Sequence, residues 1–274
     1  MDEKFIKNFI NGGIAGIVSR TITSPFERLK ILRQNFPLQY NNYNLFSSFK
    51  YMYLNEGPKS LFKGNLTNCV RIFPQTAIQY SVFEYSKHKF NYFDKKFNYF
   101  LAGGLAGITS YTAIYPLETV RSKLSAQTNE KIYKGIVDCL YKSTKQNGFQ
   151  SLYKGCSISA IGMIPFQGSN FLTYNYLNDL YNPYGSKIKS LIFGSCAGIV
   201  AVSLTFPFDT IKRKLQLSGE LGNPVYKNTS HCIKYTVQKY GIKGLYRGLI
   251  PCYLKRFPAN GLYFMIIEIL KDFY

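Results

Sequence analysis

One short pattern returns three times at a fixed interval, and this recurrence constrains the fold more than any other feature of the chain. "SPFERLK" at residues 24–30 comes back as "YPLETVR" at 115–121 and as "FPFDTIK" at 206–212. The prolines, Pro25, Pro116 and Pro207, stand 91 residues apart. Two positions after each comes an acid (Glu27, Glu118, Asp209), and three positions later a base (Lys30, Arg121, Lys212). The pairs Gly12/Gly16, Gly103/Gly107 and Gly194/Gly198, each Gly-x-x-x-Gly, keep the same step. A third mark, aromatic-base-glycine, closes "EGPKSLFKG" at Gly64, "NGFQSLYKG" at Gly155 and "YGIKGLYRG" at Gly248. Two unrelated marks with a step of 91 residues, and a third whose glycines stand 91 and 93 residues apart, define a threefold internal repeat, with repeats at 1–92, 93–183 and 184–274 forming one domain.

Each repeat reads as a long helix carrying the glycines and then the proline, a polar loop, a short amphipathic stretch ending in the aromatic-base-glycine mark, and a second long helix. The apolar-weighted segments fall near 6–36, 69–91, 97–127, 157–180, 188–218 and 250–272. At 1.5 Å per residue each is long enough to cross a bilayer. No uninterrupted apolar run of 18 residues occurs, but helices that line a water-filled cavity carry polar residues on one face. Gly-x-x-x-Gly suits close helix packing in lipid. The expectation is an all-α membrane protein of six transmembrane helices in three pseudo-symmetric repeats, with short amphipathic helices between them. A soluble helical solenoid is the competing architecture, but solenoid units are much shorter than 91 residues.

The proline removes a backbone hydrogen bond and kinks its helix. With three equivalent helices around an axis, the acid of one faces the base of the next. Glu27, Glu118 and Asp209 then pair with Lys30, Arg121 and Lys212 where the kinked helices converge, each partly dehydrated pair being worth about 1–4 kcal/mol. Such a ring is a latch that a bound substrate opens.

Composition narrows the function class. Thirty-four Lys and Arg against 14 Asp and Glu give a net charge of +20, which suits nucleic acid, an anionic surface or an anionic substrate. The bases follow the repeat rather than clustering on one tail or helix, which argues against a nucleic-acid binder. The six cysteines (69, 139, 156, 196, 232 and 252) form no C-x-x-C pair and read as scattered small hydrophobes, not as a metal or disulfide framework. The two histidines, His88 and His231, read as surface residues without a catalytic partner. No enzyme, metal or cofactor is expected. "MDEKFIKNFINGG" lacks the Arg-rich, acid-poor character of a transit peptide.

With these marks in place, the chain resembles the mitochondrial carrier family over nearly its whole length. Proline-x-acid-x-x-base repeated three times, with aromatic-base-glycine downstream, is that family's signature. The resemblance implies a six-helix bundle with threefold pseudosymmetry, alternating access, one central substrate site and a mitochondrial inner-membrane location, although relatives serve other organelles. It implies a working monomer among membrane lipids, cardiolipin included, with the proline-linked pairs closing the matrix side. A second, cytoplasmic latch lies on the even helices as aromatic-acid-x-x-base. Here helix 2 offers "FEYSK" (Glu84, Lys87), helix 6 "IEILK" (Glu268, Lys271) and helix 4 "YNYLN", where Asn175 and Asn178 replace the charges. Only Glu84 with Lys271 keeps a full ion pair on that logic.

By the same resemblance, mid-depth residues select the substrate. Helix 2 offers Arg71, Gln75 and Gln79 at i, i+4 and i+8; helix 4 offers Gly162 and Met163 with Phe166; helix 6 offers Lys255 and Arg256; helix 1 adds Arg20. Four cations suit phosphates, and a bare glycine beside Met163 and Phe166 leaves a slot for a flat base. The site reads as one for an adenine-containing polyanion. "DTIKRKLQL" lacks the arginine- and methionine-rich run of the ADP/ATP carrier, and the chain begins almost at helix 1, without the EF-hand extension of the ATP-magnesium/phosphate carriers. "VRIFP" and "GMIPFQGSNFLTY" most resemble the coenzyme A carrier branch, with ATP-magnesium/phosphate or another adenine nucleotide as the alternative. Restoring charge with Asn175→Glu and Asn178→Lys should strengthen the cytoplasmic latch and slow exchange in proteoliposomes; an unchanged rate contradicts this reading.

Overall fold

The computed structural model describes residues 3–36, 40, 44–89, 95–128, 132–181, 187–256 and 266, and among these every regular element is helical. In chain order the helices are α1 (Glu3–Asn35), α2 (Leu45–Glu56), α3 (Asn65–Val70), α4 (Ile72–Lys89), α5 (Lys95–Ala126), α6 (Ile136–Asn147), α7 (Cys156–Tyr181), α8 (Lys187–Gln216), α9 (Thr229–Tyr240) and α10 (249–256). The long helices follow the expected spans 6–36, 97–127, 157–180 and 188–218 closely. The span expected at 69–91 begins earlier, at Asn65, and is interrupted at Arg71. Pro74 explains the break, because it has no N–H to give the carbonyl of Val70. Most of the span expected at 250–272, with Glu268 and Lys271, lies outside the described residues. By length and composition one segment among the described residues, Ile192–Gln216, is apolar enough to cross a membrane.

Pro25, Pro116 and Pro207 all lie inside helices. The chain divides into two compact units, one built mainly from Met1–Arg28 and Met52–Tyr153, the other from Leu29–Tyr51 and Lys154–Phe257.

In the first unit the Thr119 hydroxyl donates to the Leu152 carbonyl (2.6 Å), and Tyr115 stacks on Tyr153 at 6.0 Å. The second unit repeats this: Thr210 donates to Leu245 (2.7 Å), and Phe206 stacks on Tyr246 at 6.4 Å. In repeats 2 and 3 the aromatic residue of the aromatic-base-glycine mark thus receives the aromatic residue before the kink proline. At the equivalent place in repeat 1, Arg28 donates instead to the carbonyls of Ser125 (3.1 Å) and Gln127 (2.8 Å) and pairs with Glu56 at 2.6 Å.

The three short helices are amphipathic as expected. α2 buries Ser48 and Met52, α6 buries Cys139 and Ser143, and α9 buries Cys232 and Thr236, while Phe46, Val137 and Ile233 face outward. Bases at the ends of the long helices hold two of them. Arg33 donates to Ser48 in the second unit, and Lys123 to Ser143 in the first, both at 2.9 Å. Burial raises the Cys232 thiol to about 11, in keeping with an inert core cysteine; Cys139 and Cys252 are buried as well, whereas Cys196 is exposed. His231 fits its surface reading: its Nδ1 accepts from the Lys227 N–H at 3.2 Å at the start of α9. The side chain of His88 lies outside the described residues.

The Gly-x-x-x-Gly marks do less than their recurrence suggests. A Cβ on Gly16 would meet Ile72 at 3.3 Å, so close packing holds in repeat 1, with neighbouring Gly13 pressed against Phe73. At Gly103, Gly107 and Gly194 a Cβ would meet nothing within 4 Å, whereas one on Gly198 would lie 3.4 Å from an Arg256 guanidinium nitrogen. The glycines of the third mark are required. Gly64, Gly155 and Gly248 have φ of 81°, 84° and 90°, a region that disfavours any side chain. A Cβ on Gly64 would also lie 3.0 Å from the Arg121 carbonyl oxygen, and one on Gly248 3.0 Å from that of Lys30. Gly57 has a similar φ of 80° with open space around it. Gly64→Ala should therefore cost about 1–2 kcal/mol more than Gly57→Ala, read as the difference in thermal unfolding in detergent; equal costs would mean the close approach does not matter.

Candidate functional site

Two clusters of charge gather the residues singled out in the sequence, one in each unit. In the first, the acid of repeat 1 meets the base of repeat 2: Arg121 Nη2 lies 3.0 Å from Glu27 Oε1. Both side chains are buried, on α5 and α1. Arg121 Nη1 also lies 3.7 Å from Glu118 Oε2, three residues earlier on its own helix. Glu118 is in turn paired with Arg71, at the break between α3 and α4. Arg20, on α1, donates from Nη1 to the Asn68 carbonyl at 3.0 Å and to its side-chain oxygen at 3.4 Å.

In the second unit, the acid of repeat 3 meets the base of repeat 1. Lys30 Nζ lies 2.7 Å from Asp209 Oδ2, and the same oxygen accepts from Gln34 Nε2 at 3.2 Å. The Lys30 ammonium also sits 5.5 Å from the Phe206 ring centroid, a contact that favours a desolvated cation. Gln34 was missed in the sequence, although a residue four places after Lys30 shares its helix face. Asn68, Phe206 and the Arg28–Glu56 pair were missed too, and only the side-chain contacts disclose them.

Around Lys30 and Asp209 opens a cavity of about 220 Å³, lined also by Gly162, Met163, Phe166 and Arg256. Arg256 lies with its guanidinium carbon 5.0 Å from the Phe166 centroid. A fixed cation therefore stands against an aromatic wall, with a thioether beside it. Gly162 has a second duty here: a Cβ would fall 2.9 Å from that of Phe208, so the bare glycine lets α7 and α8 close together.

The remaining predicted residues are more dispersed. Lys255 is half-buried next to Arg256, Gln75 is half-buried and Gln79 exposed on α4, and Lys212 is buried on α8. Lys87 lies 3.6 Å from Glu84 on the same helix, and Asn175 and Asn178 are half-buried on α7. Glu268 and Lys271, the other cytoplasmic-latch residues, lie outside the described residues. Among the described residues no group of histidine, cysteine and acid could hold a metal ion.

Comparison with known proteins then bears on the repeats. The family model described as "Mitochondrial carrier protein" matches this chain three times, over residues 2–94, 92–185 and 184–274. The chain belongs to the mitochondrial carrier family. As a carrier it is a transport protein of the mitochondrial inner membrane. It is similar to the chloroplastic/mitochondrial adenine nucleotide transporter BT1 of Arabidopsis thaliana, with 32% identity over 97% of this chain and 69% of that protein. It is similar to the human mitochondrial coenzyme A transporter, with 30% identity over 98% of this chain and 88% of the other. The human mitochondrial adenyl nucleotide antiporter is 31% identical over 97% of this chain and 58% of its own length.

If the Glu27–Arg121 contact is an energetic pair, Glu27→Gln and Arg121→Gln should not add. A double-mutant cycle on thermal unfolding of this carrier should give a coupling of about 1–4 kcal/mol; additive losses would reduce the contact to proximity.

Proposed function

We propose that this carrier exchanges an adenine-containing polyanion across the inner membrane, with coenzyme A, dephospho-coenzyme A or adenosine 3′,5′-diphosphate as cargo and an adenine nucleotide as counter-substrate. The observation that carries this reading is Arg256 lying over Phe166 in a cavity that also holds Met163 and Lys30. A phosphate needs the cations, and a purine needs a flat apolar wall. Similarity to a coenzyme A transporter and to adenine nucleotide transporters supports the same substrate class. Their identities to this chain are nearly equal, so an ATP or ADP carrier is kept as the second reading.

In the proposed cycle the polyanion descends a positively charged path that concentrates anions and engages Arg20, Arg71, Lys255 and Arg256, while the base rests against Met163 and Phe166. Its binding offsets the cost of breaking the pairs Glu27–Arg121 and Lys30–Asp209, the matrix side opens, and the second long helix of each repeat closes behind. Six spans formed by one chain of three repeats carry out the cycle as a monomer, and no bond in the cargo is made or broken.

Proteoliposomes preloaded with ADP and offered labelled coenzyme A, ADP, ATP and phosphate in parallel test the proposal. Coenzyme A uptake above the others, lowered at least tenfold by Arg256→Ala, is the expected result. Uptake of ADP or ATP without coenzyme A would transfer the assignment to the second reading, and intact transport by Arg256→Ala would remove that residue from the site.

A further inference from the structure

Arg71, which the substrate reading assigns to phosphate, already holds an anion. Its partner is Glu118, an acid that the repeat places in the matrix latch. The pair is largely buried, and the contacts continue unbroken: Glu118 lies 3.7 Å from Arg121, and Arg121 lies 3.0 Å from Glu27. Arg20 stands within electrostatic reach of Arg71, Arg121 and Glu118.

We propose that Glu118 is an internal competitor for the cargo's phosphate: it occupies Arg71 until an anion of greater charge displaces it, and so sets the least charge a cargo must carry. This inference rests on the polyanion reading above. A guanidinium pairs with carboxylate and with phosphate through the same fork of donors, so the two anions compete for one place. A carboxylate brings a single charge, whereas a terminal phosphate brings roughly −1.5 to −2 at neutral pH. Cargo with several phosphate charges wins the exchange; a neutral nucleoside does not.

Displacement also reaches the latch. Once released from Arg71, Glu118 remains beside Arg121, the base that holds Glu27. Occupation of Arg71 by cargo and the state of the Glu27–Arg121 pair are thereby linked through one side chain. Such a link is reciprocal: the factor by which bound cargo shifts the latch equilibrium is the factor by which cargo affinity differs between the latched and unlatched states.

The test is a ligand titration of the purified full-length carrier in detergent, read as the shift in thermal unfolding with adenosine, AMP, ADP, adenosine 3′,5′-diphosphate and coenzyme A. Glu118→Gln keeps the shape of the side chain and removes its charge. If Glu118 occupies Arg71 for about nine-tenths of the time, AMP should bind about tenfold tighter in the variant. The preference for ADP over AMP should shrink, and adenosine should bind neither protein. Glu118→Asp, which keeps the charge but shortens its reach, is the second variant; it should tighten AMP binding by about threefold, and it carries the test if Glu118→Gln does not fold. Wild-type protein that binds ADP while neither variant binds AMP more tightly would overturn this inference alone. Wild-type protein that binds none of the anions would overturn the polyanion reading and this inference with it.

Discussion

A charge removed from water must be met by an opposite charge or by fixed dipoles, and in this chain the proline-linked acids and bases meet that demand. Glu27 is answered by Arg121 and Asp209 by Lys30, each base coming from another repeat. Removing one member of a buried pair leaves the other stranded, at a cost of about 3–5 kcal/mol. Replacing both by apolar groups could be neutral for stability. In the cycle we propose, these contacts are made and broken repeatedly, a duty that suits a desolvated ion pair better than permanent apolar packing.

The surrounding architecture positions these pairs. Each α1, α5 or α8 base lies five residues beyond a helix-internal proline, and for two of them a glycine of the third mark sits against the carbonyl of the base itself. Gly64 rests on Arg121 and Gly248 on Lys30. The proline mark and the aromatic-base-glycine mark therefore belong to one local assembly, in which kink proline, ion pair, aromatic ring and left-handed glycine meet neighbouring stretches of helix.

How much of this could be read without coordinates depends on the kind of signal. The threefold repeat, the four long helices outside repeat 1's second span and the two inter-repeat pairs were legible because covalent periodicity dictates them. The break at Arg71 was not anticipated, although Pro74 stood in the quoted run "VRIFP". The Gly-x-x-x-Gly marks were uneven guides: a Cβ on Gly16 or Gly198 would meet a neighbour, whereas one on Gly103, Gly107 or Gly194 would meet open space, because spacing along a chain does not say which neighbour faces it. The same limit hid the Arg71–Glu118 pair. Its members are 47 residues apart with no shared motif, and the family resemblance assigned one to the cargo while the repeat assigned the other to the latch. Gly162 was read as a slot for a base, but its missing side chain also makes room for Phe208.

The central claim is that the inter-repeat ion pairs gate transport through their complementarity and not merely through the presence of charge. Reversing one of them measures this directly: exchange by Lys30→Asp, by Asp209→Lys and by the double variant, compared in the same proteoliposomes. Single reversals place two like charges in contact and should reduce exchange to background, while the double reversal should restore a substantial fraction of the wild-type rate. Single reversals that transport normally would contradict the account, because the pair could then have no part in opening and closing the carrier.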